Sequence, residues 1–260
     1  MLLAIDSGNS TIVFAVFEGG ELRQQWRCPT DIKRPSGDYG AWLADSMAAK
    51  KLKPEDVDGA IISNVVPAMD GALRDMCRQT FGQEALVVGA PNVDLGLRVL
   101  VDRPEDVGTD RLVNALAVRE RHRVPAIVVD FGTATTFDVV DEAGDFLGGA
   151  IAPGVNVMID GLHAATAKLP RVEFERPERA IGKGTVPAMQ SGVYWGYVGL
   201  VESLVARMTA ELTGDVTVVA TGGQGSLFLD ATPLISAFDP ALTLYGLMYA
   251  YRRNAGPEKA

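Results

Sequence analysis

Cysteine and histidine are almost missing from this sequence: Cys28 and Cys77, His122 and His163 are the full complement. No C-x-x-C occurs and no histidine neighbours a cysteine, so neither a zinc site nor a disulfide scaffold is indicated. Two idle thiols in a reducing compartment is the simplest reading. Basic residues are also short, with 24 Lys and Arg against 33 Asp and Glu, a net charge of −9. That balance excludes the basic stripe a nucleic-acid binder needs, and an anionic ligand must be held by local donors. A long apolar run is missing too. The uncharged stretch Phe146–Ile159 is interrupted by Gly148, Gly149, Pro153 and Gly154 and is too short to span a bilayer. The start, Met1 to Asp6, has no basic region and meets a carboxylate too early for a signal peptide. A soluble, cytoplasmic protein without nucleic-acid or membrane partners is expected. Finally, there is no G-x-x-x-x-G-K-[ST], and no G-x-G-x-x-G follows the first apolar run.

What is present is apolar mass and a repeat. Hydrophobic residues make up 47% of 260 positions, enough for two modest lobes of about 100–150 residues each. Residues 2–22 and 126–146 align without a gap: Asp6 meets Asp130, Gly8 meets Gly132, Thr11 meets Thr135, Val16 meets Val140 and Gly20 meets Gly144. Each copy is an apolar run, then Asp-x-Gly-x, a β-rich run and a glycine turn before a third strand. The runs Leu2–Ile5 and Ala126–Val129 do not alternate, which predicts strands buried on both faces. Helical spacing recurs over Tyr39–Lys50, Met69–Phe81, Asp110–His122, Val186–Leu212 and Leu242–Arg253. Further strands are predicted at Gly59–Ser63, Ala85–Val88 and Val216–Ala220. Surface loops are predicted at Pro29–Gly37 and Pro170–Arg179. Two α/β lobes, residues 1–124 and 125–260, each a mixed sheet with flanking helices, satisfy this pattern.

Four segments carry candidate chemistry. Asp6, Ser7, Gly8, Asn9, Ser10 and Thr11 concentrate a carboxylate, hydroxyls, an amide and backbone N–H groups in one bend, an inventory suited to phosphate. Asp130 to Thr136 repeats it. A carboxylate beside phosphate makes sense when a cation is bound as well. Thr221-Gly222-Gly223 follows an apolar strand and lets a flat ligand approach backbone. Gly108-Thr109-Asp110-Arg111 opens a helix. There Asp110 reads either as a cap and dipole partner or as a general base with Arg111 as an anion clamp, and the spacing leaves both open. His122, at a helix end among arginines, reads as solvated. Tyr194-Trp195-Gly196-Tyr197 reads as core or subunit interface.

The segments D-S-G-N-S (6–10), G-T-D-R (108–111), D-F-G-T-A-T-T (130–136), G-G-A-I-A-P-G (148–154) and T-G-G (221–223) together resemble the type III pantothenate kinase family. S-N-V-V-P (63–67), I-G-K-G-T (181–185), S-G-V-Y-W-G-Y-V-G-L (191–200) and L-T-L-Y-G-L (242–247) extend the resemblance over nearly the whole chain. It implies duplicated actin-like (ribonuclease H-like) lobes with ATP in the cleft between them. It also implies ATP-dependent conversion of pantothenate to 4′-phosphopantothenate, the first step of coenzyme A synthesis. By resemblance, Asp6 through Ile12 and Val13 would hold ATP phosphates, with Asp6 on magnesium directly or through water. Thr133 would also bind ATP, and Gly222 with Gly223 would border the adenosine. Asp130 would ligate potassium or ammonium. Asp110 would accept the proton, Gly108, Thr109, Asp110 and Arg111 would line the pantothenate site, and Thr185 would contact pantothenate. A homodimer is implied. One position departs from the pattern: Val101 stands where many members carry tyrosine. Alternative readings are a kinase of the same superfamily acting on another small hydroxylated or carboxylated metabolite, a non-catalytic Bvg accessory factor-like regulator, and an actin-like filament protein.

Overall fold

A computed structural model describes residues 1–255, and they form two compact units. The first contains Met1–Arg98, Asp102–Arg121 and the chain from Leu242; the second contains Val99–Val101 and His122–Ala241.

In the first unit, β1 (Leu2–Ser7), β2 (Thr11–Glu18) and β3 (Glu21–Pro29) form an antiparallel meander. β4 (Gly59–Asn64) and β5 (Leu86–Val87) add parallel to β1, giving the order β3-β2-β1-β4-β5. Four helices belong here: α1 (Ser36–Ala48), α2 (Asp70–Phe81), α3 (Thr109–Arg121) and α6 (Leu242–Ala255). Leu2, Leu3, Ala4 and Ile5 of β1 are all buried, the non-alternating pattern of a central strand covered on both faces. Leu3 and Ile5 pack with Phe14, Tyr39, Leu43 and Leu73. On β2, Phe17 meets Tyr245 of α6 edge-on at 5.3 Å. Aromatic pairs of this geometry contribute about 0.5–1.5 kcal/mol beyond their area.

The second unit repeats the scheme. β6 (Ala126–Phe131), β7 (Ala134–Val140) and β8 (Phe146–Pro153) form the meander, and β9 (Thr217–Thr221) and β10 (Ala237–Phe238) add parallel to β6. α4 (Val155–Ala164) and α5 (Thr185–Thr209) bury Ile159, Val193, Tyr197 and Val201 with Ile127, Val129 and Phe131. Both units therefore have the mixed, duplicated α/β architecture expected, five strands in each sheet.

The structure adds three points to the sequence reading. The last helix packs with the first unit, against α3, β1 and β4, so the compact units do not follow a division at residue 124. The two hairpins differ by one residue. Ser7 pairs Ile12 across residues 8–11, whereas Phe131 pairs Thr135 across residues 132–134. The structural counterpart of Thr11 is therefore Ala134, not Thr135. α4 was not anticipated: its apolar positions Val155, Met158, Ile159 and Leu162 have helical spacing, but glycine and proline crowd its start and Gly161 sits within it. No helix among the described residues is long and apolar enough to cross a membrane.

Candidate active site

In the first unit, the bend after β1 is held by its neighbours. The Gly8 N–H donates to Thr11 O at 3.0 Å. Thr30, just past β3, donates its hydroxyl to Gly8 O at 2.6 Å and its N–H to Ser10 O at 3.1 Å. Asn9, Ser10 and Thr11 are exposed and Asp6 is half-buried. Ser7 is fully buried, and its Oγ has no hydrogen-bond partner; a buried hydroxyl in that condition is costly unless a ligand completes it. The Ile12 side chain points into the core, so that residue can offer a ligand only its backbone. Val13 is half-buried opposite Asp6.

Asp110 belongs to the same constellation. Asp6 lies beside Ser63 in the β1–β4 register, and the Ser63 hydroxyl bonds that of Thr109 at 2.9 Å. This bond ties the start of α3 to the C-terminal end of β4, where ligands of parallel sheets bind. The next residue, Asp110, accepts the Arg111 N–H at 2.9 Å. Burial pushes its carboxyl above the ordinary aspartate range, opposed by that amide and by the Arg111 charge. A carboxylate raised in this way accepts a proton more readily than a solvated one. Gly108, Thr109 and Arg111 are half-buried around it.

In the second unit, three glycine-bearing segments meet at the bend after Asp130, which lies between Thr136 and Thr221 in the sheet. The Gly132 N–H donates to Ala134 O at 3.0 Å, and the Gly154 N–H to Thr133 O at 3.1 Å. A β-carbon on Gly154 would fall 2.4 Å from Thr133 O and 2.5 Å from Gly132 O, so only glycine lets β8 close against this bend. Gly222 has φ +86°, and a β-carbon there would stand 2.4 Å from Asp130 Oδ1 and 2.7 Å from Phe131 N. The turn 221–223 therefore lies directly on the carboxylate, with Thr133 and Gly223 exposed beside it. Thr185 starts α5, exposed, at a groove of about 470 Å³ lined by Met158, Leu162, Leu169, Ala188 and Met189.

Several contributors lie outside the bends themselves. Thr30, Ser63 and Gly154 build the bends without belonging to them in sequence. Val101 lies against β8: Leu100 N–H donates to Phe146 O at 2.8 Å, and Val101 borders Gly148. His122 is not solvated as expected; its side chain is 19% exposed, with Nε2 3.5 Å from the carboxylate of Asp239. Of the aromatic stretch, Tyr194 and Tyr197 are core while Trp195 is 37% exposed.

Among the described residues, no group of three or more His, Cys, Asp or Glu could hold a metal. The donor set suits a different mode. Magnesium keeps several waters and takes one or two carboxylates plus substrate phosphates, which fits a carboxylate such as Asp6 beside phosphate donors. Asp130, between Thr136 and Thr221 in the sheet and with Gly222 against its carboxylate, offers oxygen ligands of the kind a hard monovalent cation takes.

Comparison with known proteins agrees with this chemistry. The family model for type III pantothenate kinase matches residues 2–207. The type III pantothenate kinase of Paramagnetospirillum magneticum is 54% identical over 257 residues, covering 99% of this chain and 99% of that protein. The enzyme of the same name from Rhodospirillum rubrum is 52% identical over 254 residues, covering 98% and 99%. Among solved structures, a Campylobacter jejuni protein assigned to the Baf family of transcriptional activators has a TM-score of 0.62 at 18% identity, covering 97% of this chain and 98% of that one. That likeness speaks for the fold alone. The identity, sustained over nearly full length, speaks for more: this chain belongs to the type III pantothenate kinase family.

Proposed function

We propose that the protein transfers the γ-phosphoryl group of ATP to the primary hydroxyl of pantothenate, giving 4′-phosphopantothenate, the first step of coenzyme A synthesis. The observation that carries this reading is the placement of Asp110: a carboxyl raised by burial, tied through Thr109 and Ser63 to the strand that carries Asp6.

Phosphoryl transfer asks mainly for positioning and charge neutralisation, because its transition state is loose. In this reading, Asp6 and the backbone N–H groups of residues 8–11, with the Ser7, Ser10 and Thr11 hydroxyls, grip the phosphate chain. In the second unit, Asp130 and Thr133 serve nucleotide phosphate, and Gly222 and Gly223 border adenosine. Asp6 would hold magnesium through water, and Asp130 would hold potassium or ammonium; these ions would offset phosphate charge. Asp110 orients the substrate hydroxyl and takes its proton late, while Arg111 anchors the anionic substrate. Gly108, Thr109 and Thr185 complete the pantothenate site.

A homodimer belongs to the same proposal. Ile151, Val157, Val186 and Trp195 leave apolar side chains between 37% and 65% exposed on β8, α4 and α5, the character of surface that a partner covers. Cytoplasmic residence also belongs to it, supported by the two unpaired, buried cysteines. The test is ADP release with and without pantothenate, in potassium and in sodium buffer. Pantothenate-dependent release, faster in potassium, is expected; release that ignores pantothenate would overturn the assignment.

A further inference from the structure

The segment between α4 and α5 has no regular secondary structure, yet it is strapped to the unit. Its polar ties on the near side of Phe174 and Glu175 are exposed: Arg171 to Asp160 at 2.6 Å, His163 Nδ1 to Leu169 O at 2.7 Å, and Gln190 to Glu175 at 3.4 Å; closer to α5, the buried Ser191 donates its hydroxyl to Ala180 O at 2.5 Å. Exposed ties of this kind hold a segment weakly. Its inward side chains are different. Arg171, Glu173 and Glu175 face solvent while Val172 and Phe174 point inward, the alternation of an extended chain.

Phe174 is the bulkiest of these anchors. Its ring stacks on Tyr194 at 5.4 Å and lies 5.4 Å from Phe228 and 6.3 Å from Tyr197. Phe228, fully buried in the helical turn after Thr221-Gly222-Gly223, stacks on Phe131 at 4.4 Å and 11°. Phe131 directly follows Asp130, and its backbone is what Gly222 touches. Three rings therefore run from the strap to the two turns around Asp130. Close-packed rings of this size do not shift singly.

We propose that Phe174 is a positioning residue. It locks the 169–184 strap to the aromatic stack under the Asp130 bend and thereby fixes where the strap delivers Thr185. The substrate half of this inference rests on the reading that Thr185 contacts pantothenate. The order of the strap is then linked to occupancy of the nucleotide turns, since both hold the same stack.

The test uses the full-length protein and the variants Phe174→Ala, Phe174→Leu and Thr185→Ala. Trypsin cleavage after Arg171, Arg179 and Lys183 is followed by mass spectrometry, with and without a non-hydrolysable ATP analogue and magnesium; Arg176 precedes Pro177 and resists trypsin. In the wild type the analogue should slow strap cleavage. Phe174→Ala should speed it about tenfold, the order set by losing ring contacts of this kind, and should abolish protection by the analogue. Pantothenate KM should rise several-fold while ATP KM and kcat stay within about twofold. Phe174→Leu should fall between, and it carries the test should the alanine variant fail to fold. Equal strap cleavage in wild type and both Phe174 variants would overturn the anchor. A loosened strap with unchanged pantothenate KM, where Thr185→Ala raises that KM, would overturn the positioning role. Should Thr185→Ala leave pantothenate KM unchanged, the Thr185 reading fails and takes the substrate half with it, while the cleavage rates still decide the anchor.

Discussion

Replacing Asp110 with asparagine separates the two roles this residue can have at the start of α3. The amide matches the carboxylate in shape and can still accept the 2.9 Å bond from the Arg111 N–H, so the helix start keeps its local geometry. What it loses is the capacity to take a proton. Positioned acid–base groups contribute roughly 10²–10⁴ in rate, or about 2.7–5.5 kcal/mol of activation free energy. We therefore expect kcat to fall at least about a hundredfold while ATP binding, measured by calorimetry, changes less than about twofold. Stability should move the other way. Burial raises the Asp110 carboxyl, so ionisation is harder in the folded state than in the unfolded one. That contribution opposes folding above the unfolded pKa and disappears as pH falls through it. The asparagine variant should thus unfold at the same or a higher temperature at neutral pH. The same shift places the acid limb of the wild-type pH profile above the ordinary aspartate range, and the variant should lack that limb. Near-normal turnover with a normal pH profile would refute proton acceptance by Asp110 and leave it a helix cap.

Gly222→Ala should raise the ATP KM at least about tenfold, because the new methyl must displace the Asp130 carboxylate and hold an unfavourable φ; strain of that kind costs about 1–3 kcal/mol, so thermal unfolding should shift as well. Asp130→Asn should remove the difference between potassium and sodium buffers in a coupled ADP assay while leaving the fold intact. Thr30→Ala removes the 2.6 Å bond to Gly8 O, and a denaturant titration should show a loss of about 0.5–1.5 kcal/mol, with a higher ATP KM.

How much of this was legible in the sequence depended on how local each signal was. The paired Asp-x-Gly bends, the central strands with no alternation and the helices α1, α2, α3, α5 and α6 each follow from residues within one short window. β10, only Ala237 and Phe238, left no such pattern. α4 left one that its glycine-rich start concealed. The ungapped repeat found the two bends but misaligned the strand after each, β2 against β7, by one residue; the following turn is one residue longer in the second unit, so Leu22 and Phe146 correspond again, and both differences show only in strand pairing. Thr30 belongs to no motif, and Ser63, though it opens S-N-V-V-P, shows no role there; strand register places Ser63 beside Asp6, and hydrogen bonds join it to Thr109 and Thr30 to Gly8.

The chain by itself thus determined its two-fold plan and the chemistry of its bends, since periodicity and turn composition act over a few residues. Tertiary packing alone decided that α6 joins the unit it does not neighbour in sequence. It likewise decided that Gly222 closes on the Asp130 carboxylate and Gly154 on the bend that follows it, and that Phe174, Phe228 and Phe131 share a stack. Those contacts join residues tens of positions apart, selected by burial and close packing, and burial and close packing leave no spacing in the sequence to read.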